Sequence, residues 1–474
     1  MRDLAFLSAT QQADLVRRKE LSPVELVTLY LDRIDRIDPQ LNSYVTIVAE
    51  LALDRARAAE AAVAAGADLR PFHGVPISIK DLHDTAGIKT TYACSAYADH
   101  VPDHDTNAVR RLKEAGFIVL GKTNAPELGT TPVTESELHG PCRNPWDTGR
   151  TPGGSSGGAA AALAAGLCPI SHASDGGGSI RIPASCCGVF GLKPARGRVS
   201  AGPDRGDTLA GLATDGPIAR TVEDAAAMLD VIAGYELGDP YWASPPTRPF
   251  REEVGARADG LRIAFTATPP TYAPVDAACA AAVEDAALLL ESLGHKVEHA
   301  DPDWFDPELV AHFFNVWQLV PVYNEVSDYT QLEGLNRAFG ELSEQTPVAT
   351  FVRSMIALQR IARRIVSLWR DYDLLLTPTL ALEPVPIGWL SQDPDPGMQF
   401  ARSGFFTPFT PPANLTGQPA VSLPLYWSEG GLPIGVQLVG APADEATLIR
   451  VAAQLEEARP WASRRPDMVE ADAA

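Results

Sequence analysis

The sequence predicts an α/β fold in which a largely central β-sheet is covered by helices on both faces, and three observations lead there. Short apolar runs at 75–79, 117–120, 261–265 and 374–376 have the length and composition of buried strands. Helical stretches such as 277–293 separate them, and strands alternating with helices make layered α/β architecture. Two later runs, 420–425 and 434–439, flank a Glu-Gly-Gly turn and read as an antiparallel pair, which makes the sheet mixed.

An amphipathic helix is announced by Ser22-Pro23-Val24-Glu25. Serine is an N-cap, proline suits the first helical position, and the glutamate can reach back to the capping residue. Val27, Tyr30, Leu31 and Ile34 follow at helical spacing, and the helix should end before Pro39. An alanine-rich helix is expected over 46–65. The first strand is then expected at 75–79, with proline-rich connections at 239–249 and 391–397. No repeat, low-complexity tract or flexible linker divides the chain. We therefore expect one domain over 1–474, with helices in 1–70, a chemical core in 74–200 and a variable pocket region in 300–410.

Composition narrows the function classes. Across 474 residues, 39 Lys and Arg face 60 Asp and Glu, a formal charge of −21. Such a balance repels phosphate backbones and anionic lipid, so neither nucleic acid nor a membrane is an expected partner. The first twenty residues lack a signal-peptide core and no stretch is long enough to span a bilayer, so the expected location is the cytoplasm. Cys94, Cys142, Cys168, Cys186, Cys187 and Cys279 form no C-x-x-C pair and are expected to be reduced and buried.

Local composition is most unusual at 151–158, Thr-Pro-Gly-Gly-Ser-Ser-Gly-Gly, which runs into an alanine stretch at 159–162, and at 175–181, Asp-Gly-Gly-Gly-Ser-Ile-Arg. Glycine lets backbone N–H groups approach a ligand, and a helix N-terminus favours developing negative charge. Neither cluster has the Gly-Lys-Ser ending of a phosphate-binding loop. A third stretch, Val-Pro-Ile-Ser-Ile-Lys-Asp at 75–81, ends a strand on Lys80. Such a lysine is either a solvated strand terminus or, if desolvated, a base near neutral pH.

Together the three stretches resemble the amidase signature family. Its central motifs match G-V-P-x-x-x-K-D at 74–81, G-G-S-S-G-G at 153–158 and D-x-G-G-S-I-R-x-P-A at 175–184. Further matches are Phe-Gly-Leu-Lys-Pro at 190–194, Asn-Leu-Thr-Gly-Gln-Pro at 414–419 and Gly-Leu-Pro-Ile-Gly-Val-Gln at 431–437, so the resemblance spans nearly the whole chain. It implies the amidase signature fold and a catalytic triad of Ser179 as nucleophile, Ser155 as a bridging serine on a cis peptide bond, and Lys80 as base. It also implies an oxyanion hole from the amides of Gly176, Gly177, Gly178 and Ser179, with Ser156, Asp175 and Arg181 as supporting residues. Gly176 departs from the family habit of a side-chain-bearing residue there. No cofactor or metal is implied. The expected substrate is a small-molecule amide or carbamate, with ester cleavage allowed by the same chemistry, and the expected assembly is a monomer or homodimer.

Proton logic agrees with this assignment. A neutral Lys80 takes a proton from Ser155, which takes one from Ser179, and the reverse transfer protonates the leaving nitrogen. Asp81 adjoins Lys80 but should face away, since neighbouring strand residues point to opposite faces.

Three other readings compete. Gly154-x-Ser156-x-Gly158 fits the α/β-hydrolase elbow with Ser156 as nucleophile, but that fold needs a late histidine and the last is His312. Asp99, His100, Asp103, His104 and Asp105 contain metal-ligand types but read as a polar loop. The amidase component of a glutamyl-tRNA amidotransferase complex shares the motifs; the acidic charge and the absence of an appended basic domain favour a stand-alone bacterial amidase, like the aminohexanoate cyclic-dimer hydrolases, aryl acylamidases and urethane-cleaving members. Substrate choice is expected in the aromatic-rich segments and near the 129–134 loop, with Gly129, Thr130, Phe314, Trp317 and Phe405 as pocket residues. An aromatic cluster there is either core or pocket lining.

Overall fold

In the computed structural model, which describes residues 4–471, thirteen strands occur in chain order. They are β1 (Tyr44–Ile47), β2 (Pro76–Lys80), β3 (Ile118–Thr123), β4 (Glu135–Ser136), β5 (Gly140–Pro141), β6 (Ile170–Asp175), β7 (Phe190–Lys193), β8 (Thr214–Ala219), β9 (Arg262–Phe265), β10 (Lys296–His299), β11 (Leu374–Pro378), β12 (Ala420–Trp427) and β13 (Pro433–Val439). Eleven of them form one sheet in the order β1-β3-β2-β6-β8-β7-β12-β13-β11-β9-β10, while β4 and β5 make a small hairpin. Pairings β2·β3, β2·β6, β11·β9 and β9·β10 are parallel and the others antiparallel, so the sheet is mixed as expected.

Alternation along the strands puts a core on each face. Val119 of β3, Ile263 of β9, Leu374 and Leu376 of β11 and Val421 of β12 join one cluster, packed by helices Val222–Ile232, Ala277–Ser292 and Glu445–Ala458. Their neighbours Ile118 and Leu120 point the other way, into a cluster with helices Pro23–Ile37 and Gly157–Ala164. Ala264, Leu375 and Ala420 point into a third cluster with helices Leu309–Trp317 and Val348–Val366.

The expected helix runs Pro23–Ile37 with the reciprocal cap between Ser22 and Glu25, and an earlier helix, Ala9–Arg17, capped by Ser8 and Gln11, precedes it. The alanine-rich helix is shorter than expected, Ala49–Ala64, because 46–47 belong to β1, which lies antiparallel against β3. Region 1–70 therefore supplies an edge strand as well as helices. The pocket region likewise contains β11, a buried member of the sheet. Of the two expected connections, 391–397 is partly structured, since a helix starts at Pro396. The ends of the 1–474 expectation, 1–3 and 472–474, lie outside the described residues. Among the described residues no helix is long and apolar enough to cross a membrane, and all six cysteines are free and buried.

Candidate active site

Strand alternation also places Lys80. In β2, Ile77 and Ile79 face the first core, so Ser78 and Lys80 face the opposite side, where helix Gly157–Ala164 lies. That helix is wholly buried and made almost entirely of glycine and alanine. The reason is close approach: a Cβ at Gly157 would come within 2.2 Å of Thr134 Oγ1, and one at Gly158 within 2.4 Å of the Asn124 amide nitrogen. Ser155 sits just before this helix, on a cis Gly154–Ser155 peptide bond. Ser179 sits between β6 and helix Arg181–Cys187, and its carbonyl accepts the Ser156 N–H (3.3 Å).

Lys80 is fully buried, and its Nζ lies 2.7 Å from Ser155 Oγ, 3.1 Å from Ser174 Oγ and 3.4 Å from the Ser174 carbonyl. Burial drives the ammonium down to about 7 against the opposing pull of Asp175 and Asp215. A lowered lysine is not diagnostic alone, since burial also brings Lys122 to about 8 and Lys193 to about 7. Geometry separates them. Lys122 Nζ donates to the His83 carbonyl, Thr85 and Thr90, and Lys193 Nζ to the Pro194 carbonyl, whereas Lys80 is presented to a serine that lines a cavity together with Ser179. Asp81 does face away: its carboxylate accepts the Thr91 N–H and hydroxyl.

Behind the glycine turn, Asp175 and Arg181 form a buried two-pronged ion pair, Nη2–Oδ1 2.8 Å and Nε–Oδ2 2.9 Å. The guanidinium also donates to the Thr410 carbonyl, Gln437 and Asn414, and Asn414 donates back to Asp175. Burial alone would push the Asp175 carboxyl up, but Arg181, Lys193 and Asn414 hold it at about 2. This clamp fixes the backbone that precedes Ser179. It also corrects one expectation: the Gly178 N–H donates to Asp175 Oδ1 (2.8 Å), so it is committed to the clamp and is withdrawn from the oxyanion-donor set. Among the described residues the amides of Gly176, Gly177 and Ser179 have no protein acceptor.

A family model described as Amidase matches residues 25–449. The chain belongs to the amidase signature family. It is 37% identical to the 6-aminohexanoate-cyclic-dimer hydrolase of Paenarthrobacter ureafaciens, over 97% of this chain and 96% of that one. It is 34% identical to an acylamidase of Rhodococcus erythropolis, over 98% of each chain. A solved structure of 6-aminohexanoate cyclic dimer hydrolase complexed with substrate superimposes with a TM-score of 0.92 at 36% identity, covering 98% of this chain and 99% of that one. Family membership makes the chain an amide-acting hydrolase.

In this amidase two cavities meet at Ser179. One, about 320 Å³, is the more polar, with Ser155, Ser174, His83, Asp84, Arg205 and Asp215 among its walls beside apolar Leu128, Val199 and Val320. The other, about 260 Å³, is apolar, with Ile182, Phe313, Leu335, Phe339, Phe400 and Phe405 among its walls. Of the expected pocket residues, Gly129 lines the polar cavity, Thr130 and Phe405 the apolar one, and Trp317 both. Phe314 is corrected. It packs edge-on against Phe339 (5.5 Å) and Phe400 (4.9 Å), and so stands behind rings that form the wall.

Ser156 is tied to structure, its Oγ donating to the Ser174 carbonyl (3.2 Å) with no histidine beside it. Among the described residues, two groups bring three metal-ligand types within 4.8 Å: His83, His172 and Asp215, and Asp84, His104 and Asp204. Each already contains one His–Asp pair, His83 Nε2–Asp215 Oδ1 at 2.7 Å and His104 Nε2–Asp204 Oδ2 at 2.6 Å, while Asp84 is taken by Tyr92 and His100. The expected polar loop is tied mostly to residues outside it, Asp99 to Lys89, His100 to Asp84, His104 to Asp204 and Asp105 to Lys113, with His104 also on Asp103.

Sequence reasoning missed Ser174, whose only signal is its place before Asp175 at the end of β6, and the His83–Asp215 pair. Asn414 and Gln437 were legible as motif residues but not as ligands of Arg181, because only the fold brings them from more than 230 positions away.

Proposed function

We propose that this chain hydrolyses amide-type C–N bonds through an acyl-enzyme on Ser179, with Ser155 relaying protons to Lys80. The supporting observation is the buried Lys80, its ammonium lowered by burial to about 7 and its Nζ held 2.7 Å from Ser155 in the cavity that Ser179 shares. Ser179 Oγ attacks the carbonyl carbon and its proton passes to Ser155 as the Ser155 proton passes to Lys80. The tetrahedral oxyanion is met by the amides of Gly176, Gly177 and Ser179, each donor worth on the order of 3 kcal/mol in acyl-transfer sites. Lys80 returns its proton through Ser155 to the leaving nitrogen, because an amine anion leaves poorly. Water then attacks the ester by the same relay and frees the acid.

Ser155 and Ser174 line the polar cavity and not the apolar one, so the nitrogen that receives the proton belongs on the polar side. The acyl group then occupies the apolar cavity. An aryl carbamate or an ester presents the same carbon to the same serine, and both belong within the proposed substrate range. The test is Ser179→Ala with an apolar anilide, followed by mass spectrometry of the wild-type protein during turnover. The reading requires that the variant stay folded and inactive and that the wild type carry the acyl mass on the peptide containing Ser179. Retained turnover in Ser179→Ala would end it.

A further inference from the structure

We infer that the Trp317 indole is the specificity-determining partition of the site: it separates the acyl side from the amine side beside the nucleophile, and selects amides whose apolar acyl group is unbranched at the α-carbon. The inference rests on the assignment of Ser179 as nucleophile. Trp317 ends helix Leu309–Trp317, and it and Ser179 line both cavities.

The indole is held on two sides. Its Nε1–H donates to the Thr130 carbonyl (3.1 Å), and its ring stacks on Phe313 with centroids 5.3 Å apart and planes 21° from parallel. Its six-membered ring reaches the glycine turn itself. A Cβ built at Gly177 would lie 3.2 Å from Trp317 Cη2, tighter than ordinary contact, and one built at Gly176 would lie 3.6 Å from the same atom. Gly177 therefore lacks a side chain where the indole edge comes down onto the backbone that carries the free amides. The ring fills the space that a second substituent on the acyl α-carbon needs. A single chain running away from Ser179 meets no such obstacle, because the apolar cavity continues outward to Tyr272, Val310 and Phe405, which are 81%, 47% and 40% exposed and form its mouth. That position explains why three large apolar side chains stand in solvent.

Trp317→Phe is the sharper test, since phenylalanine keeps a ring near Phe313 but loses the edge that reaches Gly176 and Gly177; Trp317→Ala is its companion. The 4-nitroanilides of hexanoic and 2-ethylhexanoic acid report branching, and 4-nitrophenyl acetate reports the serine chemistry with a small acyl group. Wild-type protein should prefer the linear anilide. Both variants should raise the branched-to-linear ratio of kcat/KM by about tenfold or more, the scale of relieving one steric misfit in an apolar pocket. An unchanged ratio with acetate hydrolysis retained overturns the partition, as does a wild-type enzyme that cleaves both anilides equally or neither. Loss of acetate hydrolysis in both variants overturns it too, by placing Trp317 in the machinery. Acetate hydrolysis that survives Ser179→Ala marks failure of the nucleophile assignment, which the anilide ratio does not report.

Discussion

Lys80 and Asp81 are consecutive and both fully buried, yet their charges enter separate networks: Lys80 reaches Ser155 and Ser174 on one side, Asp81 reaches Thr91 on the other. No adjacent carboxylate thus restores the ammonium form, and the neutral lysine that the relay needs becomes the major species above about pH 7. Catalysis by the deprotonated form means kcat/KM for an anilide should fall about tenfold per pH unit below that point and level off above it. Lys80→Ala should abolish this limb and lower the rate by at least about 10²–10⁴, with an ester suffering less because its leaving oxygen needs less protonation. Rate profiles for both substrates in both proteins check this.

Asp215 opposes the lowering of Lys80, since its negative charge favours the ammonium. Removing that charge should make Lys80 easier to deprotonate. The limb in Asp215→Asn should therefore move toward lower pH, and a limb that stays put or moves toward higher pH contradicts the electrostatic account.

The Asp175–Arg181 pair should be expensive to break from one side. Arg181→Met strands a buried carboxylate, at a cost of about 3–5 kcal/mol read from urea denaturation at neutral pH. Asp175, held at about 2 in the fold against 3.8 ordinarily, contributes stability above the unfolded value that is lost as pH falls toward 2. In Arg181→Met the sign reverses, because burial now favours the neutral acid. The deficit should shrink as the solution is acidified.

Two glycines in one turn should respond oppositely to alanine. At Gly178, where φ is +131°, a Cβ would meet Thr410 Oγ1 at 2.2 Å, so Gly178→Ala should disrupt the turn and the activity together. At Gly176 the nearest atoms are 3.5–3.7 Å away, ordinary contact, so Gly176→Ala should fold and turn over. Melting temperature and anilide hydrolysis on the two variants suffice.

Neighbouring serines should also part company. Ser155→Ala removes the link to Lys80 and should resemble Lys80→Ala in rate. Ser156→Ala loses one hydrogen bond to the Ser174 carbonyl, about 1 kcal/mol of stability, and should keep its turnover. The reverse pattern would make Ser156 the working serine.

Much of this site was legible because its residues lie in local motifs: glycines at 153–158 and 176–178 are demanded by backbone approach, and Lys80 ends a strand whose alternation is plain. The sheet was legible only where strands are apolar runs. β6, Ile170–Asp175, was missed because its buried residues include Ser171, His172 and Asp175, polar groups that interrupt any apolar run. β7 and β8 carry glycine, proline and charge for the same reason of close packing, and β10 is a largely exposed edge. Gly178 was misassigned because sequence counts its N–H as free; only the fold shows Asp175 turning back to take it. Phe314 was misassigned because aromatic content marks a region and not the side of a helix that faces the cavity.

The residues of the proposed proton relay all lie within 80–179, on a strand and two turns buttressed by small side chains, whereas much of the apolar cavity wall comes from 309–405. Substitution in the later segment changes what enters without disturbing how it is cut. Over evolutionary time the cutting apparatus can be inherited unchanged while the clientele drifts, and descent from a common amidase carries no guarantee of a common substrate.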